Sequence, residues 1–340
     1  MNTHRSAWPS TAAARDRWVV NLRGARPPHD PTRCQEVIIE GERSADGSIA
    51  QVATVFLTGR ECPWRCVMCD LWTHTTPDDT AAGAVSAQLA AARNALSAGS
   101  TPVTQIKLYN AGSFFDPHAV PERDYDAVAA RLDGFERVIV ESHPSLIGPR
   151  VDRFLDALRR HASGRSSPIA LEVAVGLETA HPVALERLNK RMTTADVEAA
   201  AAGLHMRGIA LRVFLLISPP FIAREEQDEW LLHSIELALS SGATAISLIP
   251  TRAGNGAMDA LAAEGLFHPP RLADVERSFD LALGRAAGRA RVFVDLWDLD
   301  RLIECTACFE RRRARLHAMN LEQQVPSGLA CDRCGAAGHA

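Results

Sequence analysis

The chain has 340 residues, 46% hydrophobic and 23% charged, an ordinary globular composition with material for about two domains. Lys and Arg total 37 against 41 Asp and Glu, a net charge of -4; this excludes a protein that coats nucleic acid by bulk charge, so any polyanion must meet a local basic patch. No apolar run reaches the roughly 18 residues that span a bilayer, and residues 1–23 lack the apolar stretch of a secretory signal; the expectation is a cytoplasmic protein with no membrane partner.

Residues 1–48, rich in Arg and Pro with one strand-like stretch at 36–40, are expected to form an N-terminal extension laid against a core. From 49 to 300, β-branched apolar runs at 52–57, 104–109, 137–141, 170–175, 211–217, 243–249 and 292–296 alternate with Ala-rich helical patterns such as 84–97, 194–207 and 225–240. Strands without polar alternation, separated by helices, signal parallel βα units. Gly208 and Gly242 fall where helix C-caps precede the next strand. The pattern predicts an α/β protein, a partial or full βα (TIM-like) barrel, with chemistry at the C-terminal ends of its strands. Residues 301–340 break the pattern and read as a small C-terminal metal module with four cysteines.

The eight cysteines are clustered: Cys34 alone, then Cys62, Cys66 and Cys69, then Cys305, Cys308, Cys331 and Cys334. In a reducing compartment such groups are metal ligands rather than disulfides. Cys62, Cys66 and Cys69 directly follow the first barrel strand; three thiolates so closely spaced can hold an iron-sulfur cube by three corners, leaving one iron open. Zinc in structural sites normally takes four protein ligands.

The run Arg-Glu-Cys-Pro-Trp-Arg-Cys-Val-Met-Cys-Asp-Leu-Trp (60–72) resembles the cluster loop of the radical S-adenosylmethionine (radical SAM) superfamily. With Lys-Leu-Tyr-Asn-Ala-Gly-Ser-Phe-Phe-Asp (107–116) and Gly-Leu-Glu-Thr-Ala (176–180), it resembles the group that includes the archaeosine-forming lyase. More distantly it is similar to the elongator-type and oxygen-independent coproporphyrinogen dehydrogenase-like branch. The resemblance implies a barrel of the radical SAM type, a [4Fe-4S] cluster on Cys62, Cys66 and Cys69, and reductive cleavage of SAM to a 5′-deoxyadenosyl radical that abstracts hydrogen from substrate. In the archaeosine-forming family the substrate is a lysine adduct of a deazaguanine base in tRNA. An external one-electron donor such as a flavodoxin or ferredoxin is implied too.

By the same resemblance, Asn110, Gly112 and Ser113 stand where a Gly-Gly-Glu type turn receives the SAM amino group. Glu178 would face the SAM ribose or substrate, Arg191 would hold the SAM carboxylate, and Met68, where the family often has an aromatic residue, would pack on adenine. Other strand ends offer Glu141, His143, the loop Gly254–Asn255–Gly256, Asp295 and Asp298; a lone His is more often structural, and the Gly loop lacks a Walker pattern. No residue is singled out as catalytic.

Cys305-x2-Cys308 and Cys331-x2-Cys334 form two knuckles able to close a tetrahedral site, for zinc or for a second iron-sulfur cluster. Between them Arg311, Arg312, Arg313 and Arg315, with His317 beyond, could grip tRNA phosphates or dock on the barrel's acidic surface. The alternatives are a radical SAM enzyme of a small molecule with a structural tail, and a non-catalytic iron-sulfur or zinc protein that binds RNA.

Overall fold

A computed structural model describes residues 8–162 and 168–334. Eight strands among these residues form one sheet in chain order: β1 (Glu36–Arg43), β2 (Ile49–Leu57), β3 (Gln105–Asn110), β4 (Arg137–Glu141), β5 (Ala170–Glu178), β6 (Ala210–Ile217), β7 (Ala245–Pro250) and β8 (Arg291–Val294). β1 and β2 make an antiparallel hairpin, and β2 to β8 are all parallel. The helices are α1 (Ala12–Leu22), α2 (Ala84–Ser97), α3 (Tyr125–Leu132), α4 (Pro149–His161), α5 (Pro182–Arg187), α6 (Thr194–His205), α7 (Gln227–Ser240), α8 (Ala257–Ala263), α9 (Leu272–Ala286) and α10 (Phe309–Glu322). The expected βα alternation is borne out. Gly208 and Gly242 take the left-handed conformation (φ +67° and +77°) that a side chain disfavours after a helix.

The sheet curls into a nearly closed barrel because side chains of non-adjacent strands meet across its interior. Arg212 on β6 bonds Glu42 on β1 (2.5 and 3.3 Å) and Glu172 on β5 (2.6 Å). Lys107 on β3 reaches the same Glu42 (2.6 Å) and Glu40 (3.0 Å). Side chains two residues apart along a strand share a face, so Tyr109 and Phe214 stand one layer above Lys107 and Arg212; their rings meet edge to face, centroids 5.8 Å apart. The interior therefore has a charged floor toward the strand N-termini and an aromatic layer toward the C-terminal mouth.

Burial opposes charge on Glu42, but Arg212 and Lys107 outweigh it and hold its carboxyl well below the usual carboxylate range. Arg212 is 2% exposed and Glu172 wholly buried, so losing Arg212 leaves Glu42 with Lys107 alone and Glu172 with the longer contacts to Arg137 and Arg291. Arg212→Met is expected to cost about 3–5 kcal/mol at pH 7, measured by urea unfolding. A depressed carboxyl stabilises above its unfolded pKa and loses that contribution as pH falls through its folded one. The gap between wild type and variant should therefore narrow as the pH is lowered below about 4.

Candidate active site at the barrel mouth

The segment from Thr58 to Asp70 carries three cysteines, yet apart from a single bridge pairing Arg60 with Thr76 it lies outside the sheet and helices. Its shape is imposed by side chains from elsewhere. At its start the Gln88 carboxamide of α2 pairs both backbone groups of Thr58, accepting from its N–H (2.9 Å) and donating to its carbonyl (2.7 Å). At its end Asn255 Nδ2 donates to the carbonyls of Val67 (2.8 Å) and Cys69 (3.1 Å), while Asn255 Oδ1 caps α8 at Met258 N–H (2.8 Å). In the middle Asn189 Nδ2 donates to Arg65 O (2.9 Å), and Val67 N–H to Leu188 O (3.0 Å). Glu61, almost buried, accepts from Arg23 (2.7 Å) and Arg26 (2.5 Å) and pairs with Arg65 (3.3 Å).

These anchors also bind α1 over the loop. Asn189 Nδ2 reaches Asp16 (2.8 Å), Arg15 contacts Asn189 Oδ1 (3.4 Å) and Glu186 (3.3 Å), and Asp16 pairs with Arg191. Asn189 and Arg191 both have positive φ (+59° and +57°), so the 188–192 turn doubles back to bring them to one spot. Gly256 (φ +81°) lies so close to the Leu22 carbonyl that a Cβ there would overlap it.

The three thiols are buried or half-buried. Burial pushes Cys62 up to about 11, Cys69 up to about 12 and Cys66 well above its ordinary value. Sulfurs on one ion with bonds of about 2.3 Å stand at most about 4.6 Å apart. Among the described residues the tail cysteines form a group whose ligand atoms all lie within 4.8 Å of one another.

Around the trio, Lys190 is buried between the Gly176 carbonyl (2.7 Å) and the carboxylate of Glu178. Glu178 has φ +68° at a register shift in β5, and a Cβ on Gly176 would strike both partners of this pair. His143 is 4% exposed. Its Nε2 donates to Lys190 O (2.9 Å), its Nδ1 faces Ser145 Oγ (2.8 Å), and its ring stacks on Trp64 at 3.7 Å. Burial and Lys190 push its pKa down to about 4, so it is a neutral strut between the cysteine loop and the 188–192 turn. Glu40, Glu42, Glu172, Glu178 and Asp295 all have cationic partners. The carboxyl of Glu141, on the interior face of β4, has no hydrogen-bond or ion-pair partner among the described residues, and burial pushes it up to about 7.

Several sequence candidates have their groups engaged within the protein. Asn110 Oδ1, with its amide oriented to suit its surroundings, accepts from Gly112 and Ser113 N–H (3.2 and 3.3 Å). Ser113 Oγ accepts from His143 N–H (3.1 Å). Gly112 is needed because a Cβ would overlap the Arg60 carbonyl; the close neighbour of this turn is the cysteine loop itself. Met68 packs in a small apolar cluster with Val19, Val67 and Phe267. Asp259 accepts from the N–H groups of Gly254 (3.0 Å) and Gly256 (2.8 Å), which removes the donors a phosphate would need. Arg252 gathers Asp295 (2.8 Å), Asp298 (3.8 Å) and Asp70 (4.0 Å). Cys34 packs against the barrel core. Asn189, Glu61 and Lys190 escaped sequence reasoning, although an Asn in the Leu188–Arg191 turn, tolerant of positive φ, was a usable signal; Asn255 was singled out only as part of a loop for phosphate, not as an anchor of the cysteine loop.

Since metal ligation needs thiolates and these thiols are held neutral, filling the site must release protons. Anaerobic iron and sulfide loading, followed by visible absorbance, is expected to quicken as pH rises from 7 to 9, and a pH-independent rate would contradict the burial described. Asn255→Ala, which deletes the Val67 and Cys69 anchors, is expected to lower iron retained after desalting while leaving the fold's circular dichroism unchanged.

No known family profile matches the chain. Archaeosine synthase subunit beta of Methanosarcina acetivorans is 26% identical over 242 residues, 68% of this chain and 67% of that protein. The protein of the same name from Thermococcus kodakarensis is 30% identical over 136 residues, 38% of this chain and 39% of that one. The chain thus spans about two thirds of the first relative and well under half of the second. Among solved structures, Elp3 of Methanocaldococcus infernus shares the fold at TM-score 0.54 and 13% identity, over 81% of this chain and 64% of that one. The chain is thus similar in sequence to proteins named archaeosine synthase subunit beta and shares its barrel fold with Elp3, with the cysteine loop at the barrel mouth.

Proposed function

We propose that the chain holds a [4Fe-4S] cluster on Cys62, Cys66 and Cys69, binds SAM at the open iron, and abstracts hydrogen from a modified nucleoside of tRNA. The observation that carries the reading is three buried or half-buried thiols at the barrel end where the interior is aromatic and where the Glu141 carboxyl lacks a partner. When bound, the cluster and SAM supply a 5′-deoxyadenosyl radical. The protein's part is to hold that chemistry away from water. α1 and Glu61 cover the loop, the Arg212 floor lies buried at the far end, and Glu178 and Arg191 remain the side chains for the SAM ribose and carboxylate, with Asn110, Gly112, Ser113 and Met68 shaping their surroundings. A flavodoxin or ferredoxin is the proposed electron source.

The nucleoside substrate is supported by the relatives named archaeosine synthase subunit beta. It is supported also by Phe56 and Trp297, 5.0 Å apart, beside Tyr109 and Phe214, which suit a planar ring, with Glu141 facing an N–H donor. For the tail we propose zinc. Four ligand sulfurs lie within 4.8 Å, and Cys308 Sγ and Cys334 Sγ are 3.8 Å apart, about the edge of a tetrahedron with 2.3 Å bonds. The proposed division is 1–48 extension, 49–300 barrel and 301–340 metal module.

One observation favours the alternative of a small-molecule substrate with a structural tail. Arg312 and Arg315, both nearly buried, pair with Glu276 (2.6 Å) and Asp280 (3.0 Å) of α9, so half of the basic helix docks on the barrel. Arg311 and Arg313 are exposed, and Arg313 already pairs with Glu310 (2.6 Å).

The reconstituted protein with dithionite and SAM should form 5′-deoxyadenosine, and the variant with Cys62, Cys66 and Cys69 all changed to Ala should form none while keeping its tail metal. Product from that variant would refute the assignment. In filter binding to tRNA, Arg311→Gln with Arg313→Gln should flatten the log-log salt slope by about 0.7 per lost contact; an unchanged slope favours the small-molecule reading.

A further inference from the structure

Among the described residues the barrel has a gap that no strand fills: the sheet begins at β1 and ends at β8, and no ladder joins the two. A free edge exposes a row of backbone donors and acceptors. On β8, Arg291 N–H and Asp295 N–H donate to β7 carbonyls at Thr244 and Leu248, so Val292 and Val294 turn their N–H and C=O groups outward. Both are met by side chains of the tail. Val294 N–H donates to Asn320 Oδ1 (2.8 Å) and Asn320 Nδ2 to Val294 O (2.9 Å). Val292 N–H donates to Gln323 Oε1 (2.6 Å) and Gln323 Nε2 to Val292 O (2.7 Å).

A carboxamide carries the same donor and acceptor as a peptide group, so Asn320 and Gln323 imitate two rungs of a missing strand. On the opposite side Arg43 of β1 donates to the Leu321 carbonyl (3.0 Å), and Arg291 crosses the gap to the Arg43 carbonyl (3.0 Å). Leu316 and Met319 of α10 are fully buried in the barrel core. The helix that does this starts at Cys308, whose carbonyl accepts the first-turn bond from Arg312 N–H (3.0 Å) and whose sulfur lies in the four-cysteine group.

We infer that the ion of the tail is a closing device for the barrel: it fixes the first turn of α10 and the returning Cys331–Cys334 knuckle, and through α10 it seats the β8 wall of the chamber. That wall matters to the site because β8 leads into Asp295, which pairs with Arg252, and Trp297, which packs on Phe56. The inference rests on the proposed reading of the tail as a single-ion site, and its test separates the two. The N-terminal half of α10 is held to the barrel by the Arg312–Glu276 and Arg315–Asp280 pairs, and the ion would add a fixed anchor at its first residue, about 18 Å from Asn320 at 1.5 Å per residue.

The test is hydrogen exchange of the full chain, resolved to single amides by mass spectrometry with electron-transfer fragmentation, before and after removal of the tail metal by a chelator, with metal content measured in parallel. Val292 and Val294 amides are expected to lose at least tenfold of their protection on metal removal while Phe293, Asp295 and the β4 and β5 amides keep theirs. Unchanged exchange at Val292 and Val294, or loss of protection throughout the barrel, would overturn the inference. Asn320→Ala with Gln323→Ala should expose the same two amides with one ion still bound; protection retained in that variant would also overturn it. If the metal content shows iron and sulfide instead of one divalent ion, the single-ion reading fails by that measurement, whatever the exchange shows.

Discussion

A loop that carries three cysteines outside the sheet and helices cannot rely on its own backbone pairing, and the segment 58–70 makes that dependence visible. It gains its shape from three carboxamides, Gln88, Asn189 and Asn255, and from the buried carboxylate Glu61. Carboxamides suit the task because they satisfy orphan backbone groups without bringing charge beside the thiols. The geometry of the site is therefore distributed over α1, α2, the 188–192 turn and the entrance of α8, and each of these is in turn seated on the barrel.

The interior of the barrel follows a second constraint, that buried charges need partners. Arg212, Lys107, Glu42 and Glu172 satisfy one another at the floor, and all four are buried there. Above them the layer of Phe56, Tyr109 and Phe214 is apolar, and the Glu141 carboxyl stands there unpaired.

Much of this was legible in the sequence. The buried parallel strands announced themselves as β-branched runs, and the clustering of the tail cysteines, which the fold brings within 4.8 Å of one another, was visible in their spacing. What was not legible depends on long-range pairing. Nothing in the spacing of Asn320 and Gln323 reveals that they would complete the β8 edge, since the edge exists only after the sheet has curled. The four-arginine run reads as a phosphate grip in one dimension, whereas helical periodicity turns Arg312 and Arg315 onto Glu276 and Asp280. Asn110 stands at the expected turn, and its amide caps the turn itself. The N-terminal extension gave a strand-like stretch but no sign of α1, whose Arg15 and Asp16 are explained only by the turn they grip.

The central claim is that three thiolates leave one iron of a cube open to SAM. It is tested most directly by electron paramagnetic resonance of the dithionite-reduced, reconstituted protein recorded without and with SAM. The account predicts the signal of a reduced [4Fe-4S] cluster whose g-values shift when SAM is added, with both the signal and the shift lost when Cys62, Cys66 and Cys69 are replaced. A cluster signal indifferent to SAM would contradict it.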